Sequence, residues 1–87
     1  MGFFVYILIS AEGHRYIGHT SDITRRLYEH NSGLCHSTKH GHNWEVVHLE
    51  KFSSRAEAMN REKWLKSGIG RSWLQANIAG WSPPKAE

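Results

Sequence analysis

Covalent staples are all but missing from this chain: Cys35 is its only cysteine, so no intrachain disulfide is available and a reducing, cytoplasmic setting is expected. Long apolar runs are missing too. The stretch from Phe3 to Ile9 falls far below the ~20 residues needed to span a bilayer, and no positively charged segment precedes it as in an export signal. It reads as a buried strand, with no membrane role. Proline is confined to positions 83 and 84, so nothing interrupts the elements upstream. Acidic residues are the minority, 8 against 11 Lys and Arg, for a formal charge of +3. That excess favours an anionic partner such as nucleic acid but does not decide function by itself. With 39% hydrophobic residues in 87, the chain has material for one core and not two. A single domain over residues 1–80 with a tail at 81–87 is expected.

What is present alternates between two periods. Phe3 to Ile9 is aromatic and branched, Ser10-Ala11-Glu12-Gly13 forms a turn cluster, and residues 14–19 resume an extended pattern, which together predict a β-hairpin. Thr20-Ser21-Asp22 offers helix caps, Ile23 and Leu27 an i,i+4 apolar pair, and Asn31-Ser32-Gly33 a stop, giving a helix over residues 22–31. Residues 32–43 are polar and read as a loop, and residues 44–52 as a third strand. Ser54-Arg55-Ala56-Glu57 has capping-box spacing and opens a second helix, with an apolar arc of Ala58, Met59 and Leu65, that ends at Ser67-Gly68. A last helix over residues 71–78 packs Trp73, Leu74 and Ile78. The predicted order is β-β-α-β-α-α, an α+β domain with a small, mainly antiparallel three-stranded sheet flanked by helices.

Candidate chemistry lies on these elements. If the hairpin pairs Leu8 with Tyr16, side-chain alternation puts Tyr6, Leu8, Tyr16 and Gly18 on one face. Two phenols there are either packing groups or a shared reactive surface, and a glycine inside a strand marks close approach. On the first helix Arg26 and His30 stack i,i+4 beside the apolar face. Arg26 is either a phosphate ligand or a surface arginine lying along its own helix. Glu62 falls in the middle of the second helix's apolar arc, where a carboxylate needs an ion pair, from Lys66 or Arg55, or a metal. Cys35, His36, His40 and His42 do not have zinc-site spacing, so the loop is read as solvated or nucleic-acid-contacting.

Phe4-Val5-Tyr6 on the first strand and Tyr16-Ile17-Gly18 on the second, ten residues from tyrosine to tyrosine, resemble the motif of the GIY-YIG nuclease superfamily. Arg26 stands ten residues after Tyr16, and Glu57-Ala58 followed by Glu62 looks like that superfamily's second-helix segment with its metal-binding glutamate. The likeness covers residues 3–66 and is greatest to the small single-domain bacterial branch, related to the nuclease modules of excision-repair and homing endonucleases. Phe4 stands where the motif has glycine, His19 where repair enzymes often have lysine, and His30 where they often have tyrosine. Asn77 is a poor counterpart of the late asparagine that some relatives carry.

The resemblance implies a metal-dependent endonuclease acting on DNA in repair or processing, with RNA as another substrate to consider, as a monomer or weak dimer. Glu62 would hold Mg²⁺ or Mn²⁺, Arg26 would clamp the phosphate, Tyr16 would take a proton from water, and Tyr6 would orient water or phosphate. His19 or His30 is the alternative base, since histidine titrates near neutrality and a free phenol does so at about 10. Two rivals remain open. One is a nucleic-acid binding module of the same fold without effective catalysis. The other is a protein-interaction adaptor using exposed tryptophans among Trp44, Trp64, Trp73 and Trp81.

Overall fold

A computed structural model describes residues 2–35, 38–39 and 41–78. The elements follow the predicted order: β1 (Phe3–Ile9), β2 (Arg15–Thr20), α1 (Ile23–Asn31), β3 (Glu45–Phe52), α2 (Arg55–Leu65) and α3 (Gly68–Asn77). The strands form one antiparallel sheet in the order β2-β1-β3. Leu8 pairs with Tyr16 and Tyr6 with Gly18, as the hairpin reading expects. β1 therefore lies in the middle, which is why it carries the apolar run, and β2 and β3 each leave one long edge unpaired among the described residues.

Alternation along β1 gives the sheet two faces. Val5 and Ile7 meet Ala58, Leu65, Leu74 and Ile78 from α2 and α3. Tyr6 and Leu8 meet Trp44, with Tyr16, Ile23, Leu27 and Val46 packed around them, on the α1 face. No helix among the described residues is long and apolar enough to cross a membrane.

The helix caps follow from local chemistry. Asp22 accepts the amide of Arg25, Ser54 accepts that of Glu57 while donating to its carboxylate, and Ser67 accepts that of Gly70. That last cap corrects the predicted end of the chain: α3 starts at Gly68, three residues before position 71, because Ser67 begins a helix as well as following one. Lys66 and Ser67 alone link α2 to α3. The tight link presses Gly70 against the backbone of Trp64 and Leu65, where a Cβ would collide.

Three other expectations change. Met59 is 48% exposed and does not join the core. Ala58 and Leu65, seven residues apart, already form the buried stripe of α2, and Met59 lies about 100° around the helix from Ala58. Trp44 precedes β3 and is buried at 3% exposure, so it offers no docking surface. The loop from α1 to β3 is not simply solvated: Cys35, Thr38 and Gly41 are buried in it. Asn31 clamps Trp44 through both its side-chain amide groups, and Ala11 and Glu12 of the hairpin turn bind His42. His36, His40, Trp81 and the 81–87 tail lie outside the described residues.

Candidate active site

The predicted residues fall into two groups on either side of β2. Tyr6, Tyr16, Arg26 and His30 gather on the α1 face. The Tyr6 and Tyr16 rings lie 6.0 Å apart between centroids, and Tyr16 and His30 4.8 Å. Gly18 permits this. A Cβ at that position would stand 2.7 Å from both the Tyr6 hydroxyl and Tyr16 Cε2. The strand glycine is therefore required by the two phenols beside it, which is the close approach its presence predicts.

Tyr6 is fully buried, and its hydroxyl lies 2.9 Å from His30 Nε2. Burial raises its phenol above the ordinary value and the neighbouring Arg26 only partly offsets this, so Tyr6 is a neutral phenol at physiological pH. His30 is also fully buried, and Nδ1 lies 2.7 Å from Thr38 Oγ1. Burial, reinforced by the charge of Arg26, lowers it to about 4, so the imidazole is neutral with both ring nitrogens engaged. Arg26 donates to Glu29 at 2.8 Å and points another nitrogen at Cys35 Sγ, 3.5 Å away. The Glu29 carboxylate holds its guanidinium firmly in the charged form.

His19 and Glu62 lie on the opposite face, because residues 17 and 19 alternate with 16 and 18. Their pairing is close: His19 Nδ1 stands 2.6 Å from Glu62 Oε1, while Lys66 Nζ donates to Glu62 Oε2 at 2.6 Å. The ion pair with Lys66 that the helix spacing allowed is thus formed. Arg55 instead lies over the Phe3 ring, 4.9 Å from its centroid. Partial burial works against ionisation of Glu62, but hydrogen bonds from Lys66 and His19 outweigh it and hold the carboxyl below its ordinary range. Its side chain keeps 20% exposure and that of Lys66 51%. The carboxylate is therefore reachable, and its lysine partner approaches it from the solvent side.

The helical wheel explains why Glu62 sits at the rim and not in the core. With Ala58 and Leu65 pointing down, residues 61 and 62 fall on opposite flanks of the stripe. Arg61 reaches the β3 side and grips Glu50 with two bonds of 2.8 and 3.0 Å, while Glu62 reaches the β2 side. Neither the Glu50–Arg61 clamp nor the His19–Glu62 pair is foreseen in the sequence. The polar inward positions of β3, His48 and Glu50, were the available signal.

The two groups approach one another along the open edge of β2. Tyr16 and Lys66 line one cleft of about 460 Å³, with Arg15 and Arg71 on the same walls. His19, Glu62, Lys63 and Lys66 line a second of about 340 Å³. Arg25 and Arg26 line a third of about 160 Å³ at the start of α1. Each cleft therefore carries cations, accompanied by Glu62 in the second and by Asp22 and Glu29 in the third. Among the described residues no cluster of three or more His, Cys, Asp or Glu forms a closed metal cage. One reachable carboxylate in a cleft does fit a hard divalent ion that keeps mostly water and substrate oxygens as ligands.

Comparison with known proteins accords with this geometry. The family profile described as the GIY-YIG catalytic domain matches residues 2–72. A UPF0213 protein of Listeria welshimeri is 42% identical over 64 residues, covering 72% of this chain and 71% of that protein. One from Natronomonas pharaonis is 38% identical over 65 residues, covering 74% and 76%. The solution NMR structure of a UPF0213 protein from Bacillus halodurans superposes with a TM-score of 0.53 at 33% identity, over 87% of this chain and 84% of that one. The paired strands, the tyrosines that Gly18 lets approach one another and the match over residues 2–72 have one meaning: this chain belongs to the GIY-YIG family of nuclease domains.

Proposed function

We propose that this domain is a Mg²⁺- or Mn²⁺-dependent endonuclease that hydrolyses phosphodiester bonds in DNA, in a cytoplasmic repair or processing role, as a monomer or weak dimer. The observation that carries the reading is Glu62: a reachable carboxylate in a cleft it shares with His19, Met59, Asn60, Lys63 and Lys66, beside the strand edge that also presents Tyr16. A lone carboxylate beside two lysines suits a site where anionic substrate and cation arrive together.

Glu62 would hold the metal, which when bound supplies Lewis-acid stabilisation of phosphate charge and of the departing 3′ oxygen. Arg26, fixed by Glu29, presents its guanidinium to a non-bridging phosphate oxygen. Tyr16, half-buried in the wall of its cleft, would take the proton of the attacking water. His19 is the alternative base, on the Glu62 side of the strand. His30 suits neither task, since it is fully buried and both ring nitrogens are engaged. Tyr6, neutral and buried, orients its neighbours and does not accept a proton. Lys63, Lys66 and Arg71 flank the edge and are suited to neighbouring phosphates.

The test is nicking of supercoiled, single-stranded and branched DNA, and of RNA, with Mg²⁺ or Mn²⁺. Glu62→Gln should lower turnover by about 100-fold or more while leaving thermal stability near wild type. Equal cleavage by both proteins would sink the proposal. The Lys66–Glu62 contact favours one rival, a nucleic-acid binding module in which the ammonium takes the place of the cation. Salt-sensitive DNA binding without turnover on any of these substrates would establish that rival.

A further inference from the structure

The loop between α1 and β3 contributes a residue that the proposed mechanism does not use. Thr38 is 1% exposed, and its hydroxyl lies 2.7 Å from His30 Nδ1 and 3.5 Å from the carbonyl oxygen of Cys35. Its backbone is pinned on both sides: its amide donates to the Cys35 carbonyl, and its own carbonyl accepts from the Trp44 indole and the Gly41 amide. On the other side of His30, Nε2 meets the Tyr6 hydroxyl at 2.9 Å. Beyond Tyr6 stands Arg26, whose charge acts on the phenol and partly offsets the effect of its burial. Four groups thus form one hydrogen-bonded chain: Tyr6, His30, Thr38 and the Cys35 carbonyl.

The direction of every hydrogen in that chain is fixed by its two ends. At the near end, a buried neutral phenol has one hydrogen to place. The Tyr6 hydrogen then needs an acceptor, and His30 Nε2 is the one that the described residues place at hydrogen-bond distance. At the far end a carbonyl only accepts, so the Thr38 hydroxyl donates to Cys35 and offers its lone pair to His30. A neutral imidazole has one N–H and one bare nitrogen, and both ends demand the same assignment: hydrogen on Nδ1, lone pair on Nε2.

We propose that Thr38 is a positioning residue of this site: its hydroxyl locks His30 in the Nδ1–H tautomer, which turns the Tyr6 hydrogen inward and leaves the lone pairs of the Tyr6 oxygen to face the charge of Arg26. Without the Thr38 acceptor, His30 can carry its hydrogen on Nε2 instead. Nε2–H then donates to the phenol oxygen and takes a lone pair that faced Arg26, and the Tyr6 hydrogen has no acceptor at hydrogen-bond distance among the described residues. The loop thereby sets how the Tyr6 dipole faces the guanidinium that Glu29 holds in place. This inference deepens the nuclease reading, and its catalytic half rests on that reading; its tautomer half does not.

The two halves are tested separately on the full chain. ¹⁵N NMR of the imidazole in DNA-free protein should give a protonated Nδ1 and a bare Nε2 for His30 in wild type and in Thr38→Ser. In Thr38→Val, the Nε2–H form should appear. A wild-type Nε2–H tautomer, or a Thr38→Val spectrum unchanged at His30, would overturn the proposal. The DNA-nicking turnover should fall about tenfold in Thr38→Val, the equivalent of one hydrogen bond, with KM little changed, and recover in Thr38→Ser. Full activity in a folded Thr38→Val would remove the positioning role. If Thr38→Val fails to fold, the wild-type and Thr38→Ser tautomers and the Thr38→Ser turnover still decide the matter. A wild type without turnover would instead count against the nuclease reading, and Arg26-dependent DNA affinity would then replace turnover: a drop in Thr38→Val restored in Thr38→Ser supports the role, and no drop removes it.

Discussion

The two faces of the sheet are built from the same three strands yet solve opposite problems. Toward α2 and α3, Val5, Ile7, Ala58, Leu65 and Leu74 pack with no solvent exposure, and polar groups are pushed to the flanks, where Arg61 meets Glu50 and Glu62 meets His19. Toward α1, polar groups occupy the interior itself: Tyr6, His30 and Thr38 are buried in one hydrogen-bonded chain. No buried side-chain nitrogen or oxygen among the described residues lacks a partner, so this polar interior is fully satisfied. The first face supplies stability by dispersion and burial, which tolerate no charge. The second face depends on direction, and holds its groups in place through donors and acceptors that a shift of an ångström would break.

The contrast can be broken from either side. Leu65→Ala should be the most damaging change to stability, costing about 2–5 kcal/mol, because it opens a cavity beneath the α2–α3 link. Urea unfolding would measure it, and a loss below 1 kcal/mol would mean that this face is not the core it appears from burial.

On the α1 face the leading effect is one of pH. His30 titrates at about 4 in the folded chain against an ordinary 6.5. Between those values the unfolded chain binds a proton that the native one refuses, so stability is retained above 6.5 and falls as pH drops toward 4. The full gap corresponds to roughly 3 kcal/mol, of which about 2 is lost by pH 5. Glu29, Glu50 and Glu62 have lowered values, so their contributions are lost only as pH falls through and below the ordinary carboxylate range. Unfolding free energies between about pH 7.5 and pH 5 therefore leave those carboxylates out, and comparing wild type with His30→Gln separates His30 from the other histidines. His30→Gln should flatten that slope, and an unchanged slope would show that another group carries it.

The smallest of the three effects separates packing from function. Gly18→Ala introduces a Cβ 2.7 Å from the Tyr6 hydroxyl and Tyr16 Cε2, forcing the phenols apart. The stability cost should be about 1–3 kcal/mol, with DNA turnover falling further than that cost accounts for. Near-ultraviolet circular dichroism would register the moved tyrosines. Intact turnover with altered dichroism would detach the tyrosine pair from the chemistry.

Much of this was legible in the chain. Element order, the hairpin register and two of the helix caps follow from periodicity and from Asp22 and Ser54, because those signals act over four residues or fewer. Tyr6, Tyr16 and Gly18 could be placed on one face for the same reason. Less legible was anything that depended on the long loop. Thr38 is an ordinary polar residue in a polar stretch, and its burial arises from the hold of Asn31 on Trp44 and of the hairpin turn on His42. Ser67 was readable as a stop and as a start, and only the packing of Gly70 on α2 selects the start.

By itself the sequence determined which residues alternate, which helix positions stack, and that two tyrosines, an arginine and a glutamate recur at intervals typical of one family. The tertiary structure decided how those intervals meet in space. Strand parity set His19 and Glu62 across β2 from Tyr16 and Arg26, and the α2 wheel turned Glu62 to the rim. The loop's return buried Thr38 behind His30. Each outcome depends on contacts between residues up to 43 positions apart, as His19 and Glu62 are. No periodicity records such a distance, because a local pattern fixes direction relative to its own element and not to the element packed against it.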